Sequence, residues 1–211
     1  MTFNTIDDTT KKIQHLVANG DSAFGDDIVN AGFELEHTPT REMIKHHEGW
    51  VRKVRPDVDG FLIGGYSSKI PEGHYLNEGD IMSTETADSL FADNWASDVR
   101  DSKIVFKNFS NFDVNRQAAL LSIIHIQGYE NFTDTEKKKG FPALINEANK
   151  PNPDWDRVAD EFKYTIPLVS KADSTISKLY TDIGDRGVDI YNLLKGTTTV
   201  DDIIKKQELY K

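Results

Sequence analysis

Apolar side chains recur every three to four positions along most of this chain, and in one stretch glycine interrupts that rhythm. Thr38-Pro39 reads as a helix start, with Thr as the cap and Pro in the first turn. Met43, Ile44, His47, Val51 and Val54 then follow at helical spacing. The expected helix ends near Pro56 and carries Glu48 in its later part. From Asp57 to Leu76, Gly60, Gly64, Gly65 and Gly73 punctuate short apolar runs, which predicts a small antiparallel sheet of two or three strands. Ser83 caps a long helix of roughly 20 residues, with Ala87, Leu90, Phe91, Trp95 and Val99 as its buried stripe. Asp113 caps another, Val114 to Gln127, and Gly128 ends it. Ala118, Ala119, Leu120, Leu121, Ile123 and Ile124 make that helix apolar on nearly every side, so it is the expected central core helix.

Shorter helical pieces are expected at Phe141–Ala148, Trp155–Phe162, Thr175–Tyr180 and Val188–Leu194, separated by Gly, Pro and Asn. Thr199 caps a terminal helix from Val200 to Tyr210. Asp201 and Asp202 at its start and Lys205 and Lys206 in its middle suit the helix dipole. Residues 1–37 read as an N-terminal extension, in which Ile13, Leu16 and Val17 fit a short amphipathic helix. Residues 38–211 read as the main domain. The fold class expected is α+β: mainly helical, with a small hairpin lobe joined by the long helix to a helical lobe.

Composition narrows the function. The 211 residues carry a net charge of -10. Phosphate neutralisation needs clustered Lys and Arg, so a sequence-independent nucleic-acid binder is not expected. Without cysteine there is neither a disulfide framework nor a thiol nucleophile. No apolar run approaches the roughly 18 residues of a membrane span. The polar, acidic start, Met1 to Asp27, does not read as a secretory signal. Lys137-Lys138-Lys139 is expected to be a solvated loop.

Two carboxylates carry the candidate chemistry. Glu48 stands in His46-His47-Glu48-Gly49-Trp50, and Asp57 follows nine residues later at the mouth of the glycine-rich segment. Two carboxyl groups facing one cleft can cut a glycosidic bond: one protonates the leaving oxygen and the other activates water. Each also has a plainer reading, Glu48 as a solvated charge and Asp57 as a turn residue. Asp59 is a backup that more often caps a hairpin. A zinc helix would need a second His four residues after the first, but Val51 follows His47 and Trp50 follows His46 at that distance. No metal or other cofactor is expected, and no Gly-x-Ser-x-Gly elbow exists. His47 reads as packing in the helix face, and Trp50, Trp95 and Trp155 as core. His125, set in the apolar helix, reads as a packed core histidine.

In order and spacing these segments resemble the bacteriophage lysozymes, the phage muramidases of glycoside hydrolase family twenty-four. Glu48-Gly49 resembles the family's helix-borne Glu-Gly, and Asp57 falls at its Glu-to-Asp spacing. Asp59-Gly60-Phe61 followed by Ile63-Gly64 resembles its hairpin, and Ser83 to Phe91 its Thr-x-x-Glu-Ala-x-x-Leu-Phe helix. Arg116-Gln117-Ala118-Ala119-Leu120 resembles the start of its buried helix. Phe141 and Trp155-Asp156 fall in its second lobe, and Arg186-Gly187 before its last core helix. The match runs over residues 40–195.

The resemblance implies inverting hydrolysis of the N-acetylmuramic acid to N-acetylglucosamine bond of peptidoglycan. Glu48 would be the general acid and Asp57 would hold the attacking water. It implies a phage endolysin held in the host cytoplasm until release, or a virion-mounted enzyme docked to a tail or baseplate protein through residues 1–37. Tyr66, Ser67, Ser68 and His125 are the candidate substrate-binding residues, His125 because the resemblance puts it near the cleft. The hairpin departs from the family in one respect that bears on catalysis. The family's water-positioning Thr is replaced by Ile63, or by Leu62 if one residue is skipped. The family's hairpin His is also absent, and its acidic partner on the long helix falls at Asn94. A lysozyme-fold structural or glycan-binding protein with weakened catalysis is the alternative those departures motivate, and a chitinase-like glycosidase is a lesser one.

Overall fold

The computed structural model describes residues 32–58, 60–134, 140–165 and 175–209. The amphipathic segment around Ile13, the hairpin residue Asp59 and the Lys137–Lys139 loop lie outside them. The chain divides into two compact units, Met1–Pro39 and Thr40–Lys211. In the first, residues 32–36 are helical, and the Thr38 hydroxyl donates to the Glu34 carbonyl at 3.1 Å.

The second unit contains the site. Helix α1, Thr38–Glu48, buries Met43 and Ile44. It stops earlier than its apolar spacing predicts. Gly49 has φ +70°, and its N–H returns to the Lys45 and His46 carbonyls at 3.1 and 3.2 Å, a glycine-terminated helix end. Glu48 is therefore the last helical residue. Val51 and Val54, expected on the helix, lie instead on strand β1, Val51–Pro56. β1 pairs antiparallel with β2, Leu62–Gly65, and β2 with β3, Ser68–Lys69, giving one three-stranded sheet. Between Val51 and Arg55 the β1–β2 register shifts. There β1 bonds on its other edge, Val54 N to Asp80 O and Met82 N to Arg52 O, both 2.9 Å.

The Gly64-Gly65 pair has a packing reason. A Cβ on Gly64 would run into Met82 Cε, and one on Gly65 into Ala87 Cβ, so the sheet lies closer to the next helix than any side chain would allow. That helix, α2, spans Thr84–Val105, and the Ser83 side chain caps it by accepting from Thr86 N. Val54, Leu76, Met82, Ala87 and Leu90 form the small core between sheet and helix.

α2 leads into the helical lobe. After a short 3-10 turn, Phe109–Asn111, comes α3, Val114–Gln127, capped by Asp113 and ended by Gly128 as expected. Its six apolar residues from Ala118 to Ile124 are fully buried, and it packs against both α2 and the helix Asp185–Lys195. The Gln117 amide, buried at its start, donates to the Phe109 and Phe112 carbonyls at 2.8 and 2.9 Å, which satisfies the neighbouring turn. The remaining elements are α4 (Tyr129–Thr133), α5 (Pro142–Ala148), α6 (Trp155–Lys163), β4 (Tyr164–Thr165), β5 (Thr175–Ile176), α7 (Lys178–Asp182), α8 (Asp185–Lys195) and α9 (Val200–Glu208). The helix expected over Thr175–Tyr180 is thus corrected: its first two residues pair with β4, and the helix starts after Ser177. α9 begins at Thr199 with a full capping box. The architecture is α+β, mainly helical with a small antiparallel sheet.

Candidate active site

Glu48 sits where a carboxylate is least welcome. The C-terminal end of α1 carries partial negative charge, which opposes a further anion there. Arg186 stands in the first turn of α8, where partial positive charge opposes a cation. The two misplaced charges answer each other: Arg186 Nη1 donates to Glu48 Oε1. Their side chains are 11% and 17% exposed, so the pair is largely shielded from water.

Two more groups engage Glu48. His125, from the last turn of α3, brings Nε2 to 3.6 Å from Glu48 Oε1. Its other ring nitrogen, Nδ1, lies 2.6 Å from Asp98 Oδ2 on α2. Burial pushes the Asp98 carboxyl above its ordinary range, with the His125 hydrogen bond and charge pulling the other way. Phe91 backs the imidazole at 5.8 Å between ring centroids. Behind Glu48, the Ser67 hydroxyl donates to the Glu48 main-chain carbonyl at 3.1 Å. That carbonyl ends a helix and has no intrahelical donor, so the hairpin directly anchors the residue. Ser67 adopts φ +53° to do so, the one non-glycine residue with positive φ among the described residues.

His47, expected to pack in the helix face, instead reaches across to α8. Its Nε2 lies 3.1 Å from Asp189 Oδ2, and Lys206 Nζ lies 4.0 Å from the other oxygen. Glu48–Arg186 and His47–Asp189 therefore join α1 and α8 by two consecutive pairs, since residues 186 and 189 share a helix face. Gly187 lets this happen. A Cβ there would come within 2.7 Å of the Tyr180 carbonyl, so α8 could not begin where it does. Arg186 lies inside α8 rather than before it.

The sequence candidates separate as follows. Ser67 and His125 both meet Glu48, Ser67 at its main-chain carbonyl and His125 beside its carboxylate. Tyr66, next along the hairpin, packs edge-on against Trp50 (5.3 Å) and Phe91 (5.8 Å), with the Lys45 ammonium 4.8 Å over its ring. Burial, with the Asp88 and Glu42 charges, holds the Tyr66 hydroxyl above its usual range against the pull of Lys45. Trp50, expected in the core, is 45% exposed at the junction of α1 and β1. Ser68 is buried in β3 opposite Gly64. Asp57 lies beyond the other end of β1 from Glu48. Its Oδ1 accepts from Phe61 N at 2.9 Å and its own N–H donates to Phe61 O at 2.8 Å, which pins the β1–β2 turn. Ile63 is buried and Leu62 packs on the sheet-lobe core, so neither supplies a hydroxyl beside Asp57.

Asp98 and Asp189 are not evident as partners in the sequence, where Asn94 occupies the position expected for an acidic residue. Arg186 carried a signal: a cation in the first turn of a helix needs an anion. Asp98 carried another, since a histidine in an apolar helix needs a hydrogen-bond partner. Among the described residues no group of three or more His, Asp or Glu side chains is arranged to hold a metal ion.

No family model matches the chain, and no curated protein matches it. Solved structures do. The muramidase domain of SpmX from Asticaccaulis excentricus superposes with a TM-score of 0.53 at 18% identity, over 74% of this chain and 95% of that one. An endolysin from the Escherichia coli O157:H7 phage FAHEc1 gives 0.56 at 16%, over 77% and 94%. The active form of the P1 phage endolysin Lyz gives 0.57 at 15%, over 88% and 95%. At these identities the likeness concerns the fold, and the chain has the lysozyme-like fold of these phage endolysins and this muramidase domain.

Proposed function

We propose that this chain is a peptidoglycan-degrading lysozyme that hydrolyses the N-acetylmuramic acid to N-acetylglucosamine β-1,4 bond with inversion. The observation that carries the reading is Glu48 at the junction of the two lobes of a lysozyme-like fold, its carboxyl faced by Arg186 and His125 and its main-chain carbonyl anchored by Ser67. Such over-determination suits a group that must keep its geometry through a reaction. Arg186 and His125 both approach Oε1, so Oε2 is the oxygen that faces a glycosidic bond in this reading. Glu48 donates a proton to the leaving oxygen as the C1–O bond breaks. Water attacks C1 from the opposite face and passes its proton to Asp57. Tyr66 and Trp50 offer aromatic surface beside Glu48 for a sugar ring. The protein acts as an endolysin, or from a virion to which residues 1–37 dock it.

One observation favours the alternative, a lysozyme-fold glycan-binding or virion structural protein. Apolar Leu62 and Ile63 stand where a hydroxyl would orient the water, and Ser67 is committed to the Glu48 carbonyl. Digestion of purified peptidoglycan, with borohydride trapping of the new ends, tests the bond. New N-acetylmuramitol supports the proposal. N-acetylglucosaminitol alone refutes the bond assignment, and binding without new ends supports the alternative.

A further inference from the structure

The Glu48–Arg186 pair raises a question that the two-carboxylate scheme leaves open. A general acid needs a proton, yet Glu48 is paired with a guanidinium, whose partner is a carboxylate. The supply must come from a group that reaches Glu48 and can itself carry a proton near neutral pH. His125 is the imidazole within reach, and imidazole is the side-chain type that serves as a proton shuttle. Its Nδ1 lies 2.6 Å from Asp98 Oδ2, and an ionised Asp98 there accepts the Nδ1–H, which turns Nε2 to Glu48. Nε2 faces Glu48 Oε1 at 3.6 Å.

We propose that the Asp98–His125 pair reprotonates Glu48 between turnovers, with His125 and Asp98 acting as positioning residues that set the protonation of the acid. This rests on the lysozyme reading above. The proton leaves Nε2, the N–H electron pair stays on nitrogen, and the new bond forms at Oε1. The gap closes by about 0.7 Å to reach hydrogen-bond length. A half rotation of the carboxyl turns the O–H toward the side that Oε2 occupies at rest. His125 recovers its proton from solvent, and the proton left on Asp57 by the attacking water returns there. The charges facing this relay come from four helices: Glu48 from α1, Arg186 from α8, Asp98 and Asp101 from α2, and His125 itself from α3, with the His47–Asp189 pair next along the α1–α8 junction. Asp98 is shielded by the fold, with a side chain 14% exposed, so its hold on the ring is little screened by salt.

The test is the pH dependence of kcat/KM on purified peptidoglycan for the wild type, His125→Gln, Asp98→Asn and Asp98→Glu. In His125→Gln the high-pH limb moves down by about one unit or more, because the proton source is gone, and the maximum falls at least tenfold, within the usual range for acid–base assistance. Asp98→Asn moves the limb the same way and Asp98→Glu restores it. Variants that lower the maximum but leave the limb where it was overturn the proposal. Titration of the His125 ring nitrogens by NMR in the wild type and Glu48→Gln decides the matter even if a variant misfolds or the wild type proves inactive. Loss of the neighbouring carboxylate moves the His125 titration to lower pH, by about half a unit or more. An unmoved titration overturns the relay. Absence of hydrolysis with a moved titration sinks the lysozyme reading and leaves the proton coupling standing.

Discussion

A single pair, Glu48 with Arg186, shows how residue-level costs mark a site. Each charge opposes the dipole of its own helix by roughly 0.3–1 kcal/mol, and neither position serves stability alone. Together they are shielded and paired, so removing one strands the other. Arg186→Met is expected to cost about 3–5 kcal/mol in a urea melt. The double variant with Glu48→Gln should recover part of that, because no buried charge remains unpaired. Equal and additive losses would mean that the pair is not coupled. Gly187→Ala tests the same junction from the other side. Its methyl would meet the Tyr180 carbonyl at 2.7 Å, so α8 must shift, with a loss of about 1–3 kcal/mol and a fall in any activity that depends on Arg186. Glu48 was legible in the sequence because it stands beside a glycine-rich hairpin. Arg186 and Asp98 were not, as partners: Arg186 is 138 positions from Glu48, and no local pattern encodes a contact at that separation.

Among the elements, the long helices were readable because their caps and apolar stripes agree. Ser83, Asp113 and Thr199 all cap as their sequences suggest. The first helix was misread through one physical coincidence. Val51 and Val54 are three apart, the helical spacing, but they lie on a strand whose register shift between Val51 and Arg55 breaks the two-residue alternation. Gly49 was the overlooked stop signal. The β4–β5 pairing was illegible because a two-residue strand has no measurable period. In the helical lobe, the corner between α5 and α6 rests on buried Glu147. It is bonded to Lys150 at 2.7 Å, lies 3.3 Å from Arg157 and accepts from Asp154 N at 3.3 Å. The Lys150 hydrogen bond first, opposed by burial, and then the Asp154 N–H and both cations hold its carboxyl below the ordinary 4.5. The stabilisation is therefore present above pH 4.5 and is lost as pH falls through the lowered value. Glu147→Gln should destabilise by about 1–3 kcal/mol at pH 7, and its urea midpoint should converge on the wild type's in acid. A gap that persists unchanged in strong acid would assign the loss to packing instead.

For the whole molecule, the order of lobes was legible because each lobe has its own hydrophobic rhythm and a single long helix connects them. Of the candidate site, Glu48 and the hairpin were legible as candidates, but the ring of charges around Glu48 emerges only when α1, α2, α3 and α8 are brought together. The second compact unit begins at Thr40. A chain starting at residue 38 is expected to keep the helical circular dichroism and hydrolysis of the full protein, while losing any docking that residues 1–37 provide. Loss of hydrolysis in a folded truncation would move part of the site into the extension. The most direct test of the account is release of reducing ends from purified peptidoglycan by the wild type and by folded Glu48→Gln. Release by the wild type and a drop of at least about a hundredfold in the variant are expected if Glu48 is the general acid. Equal release by both, or none by a folded wild type, would contradict it.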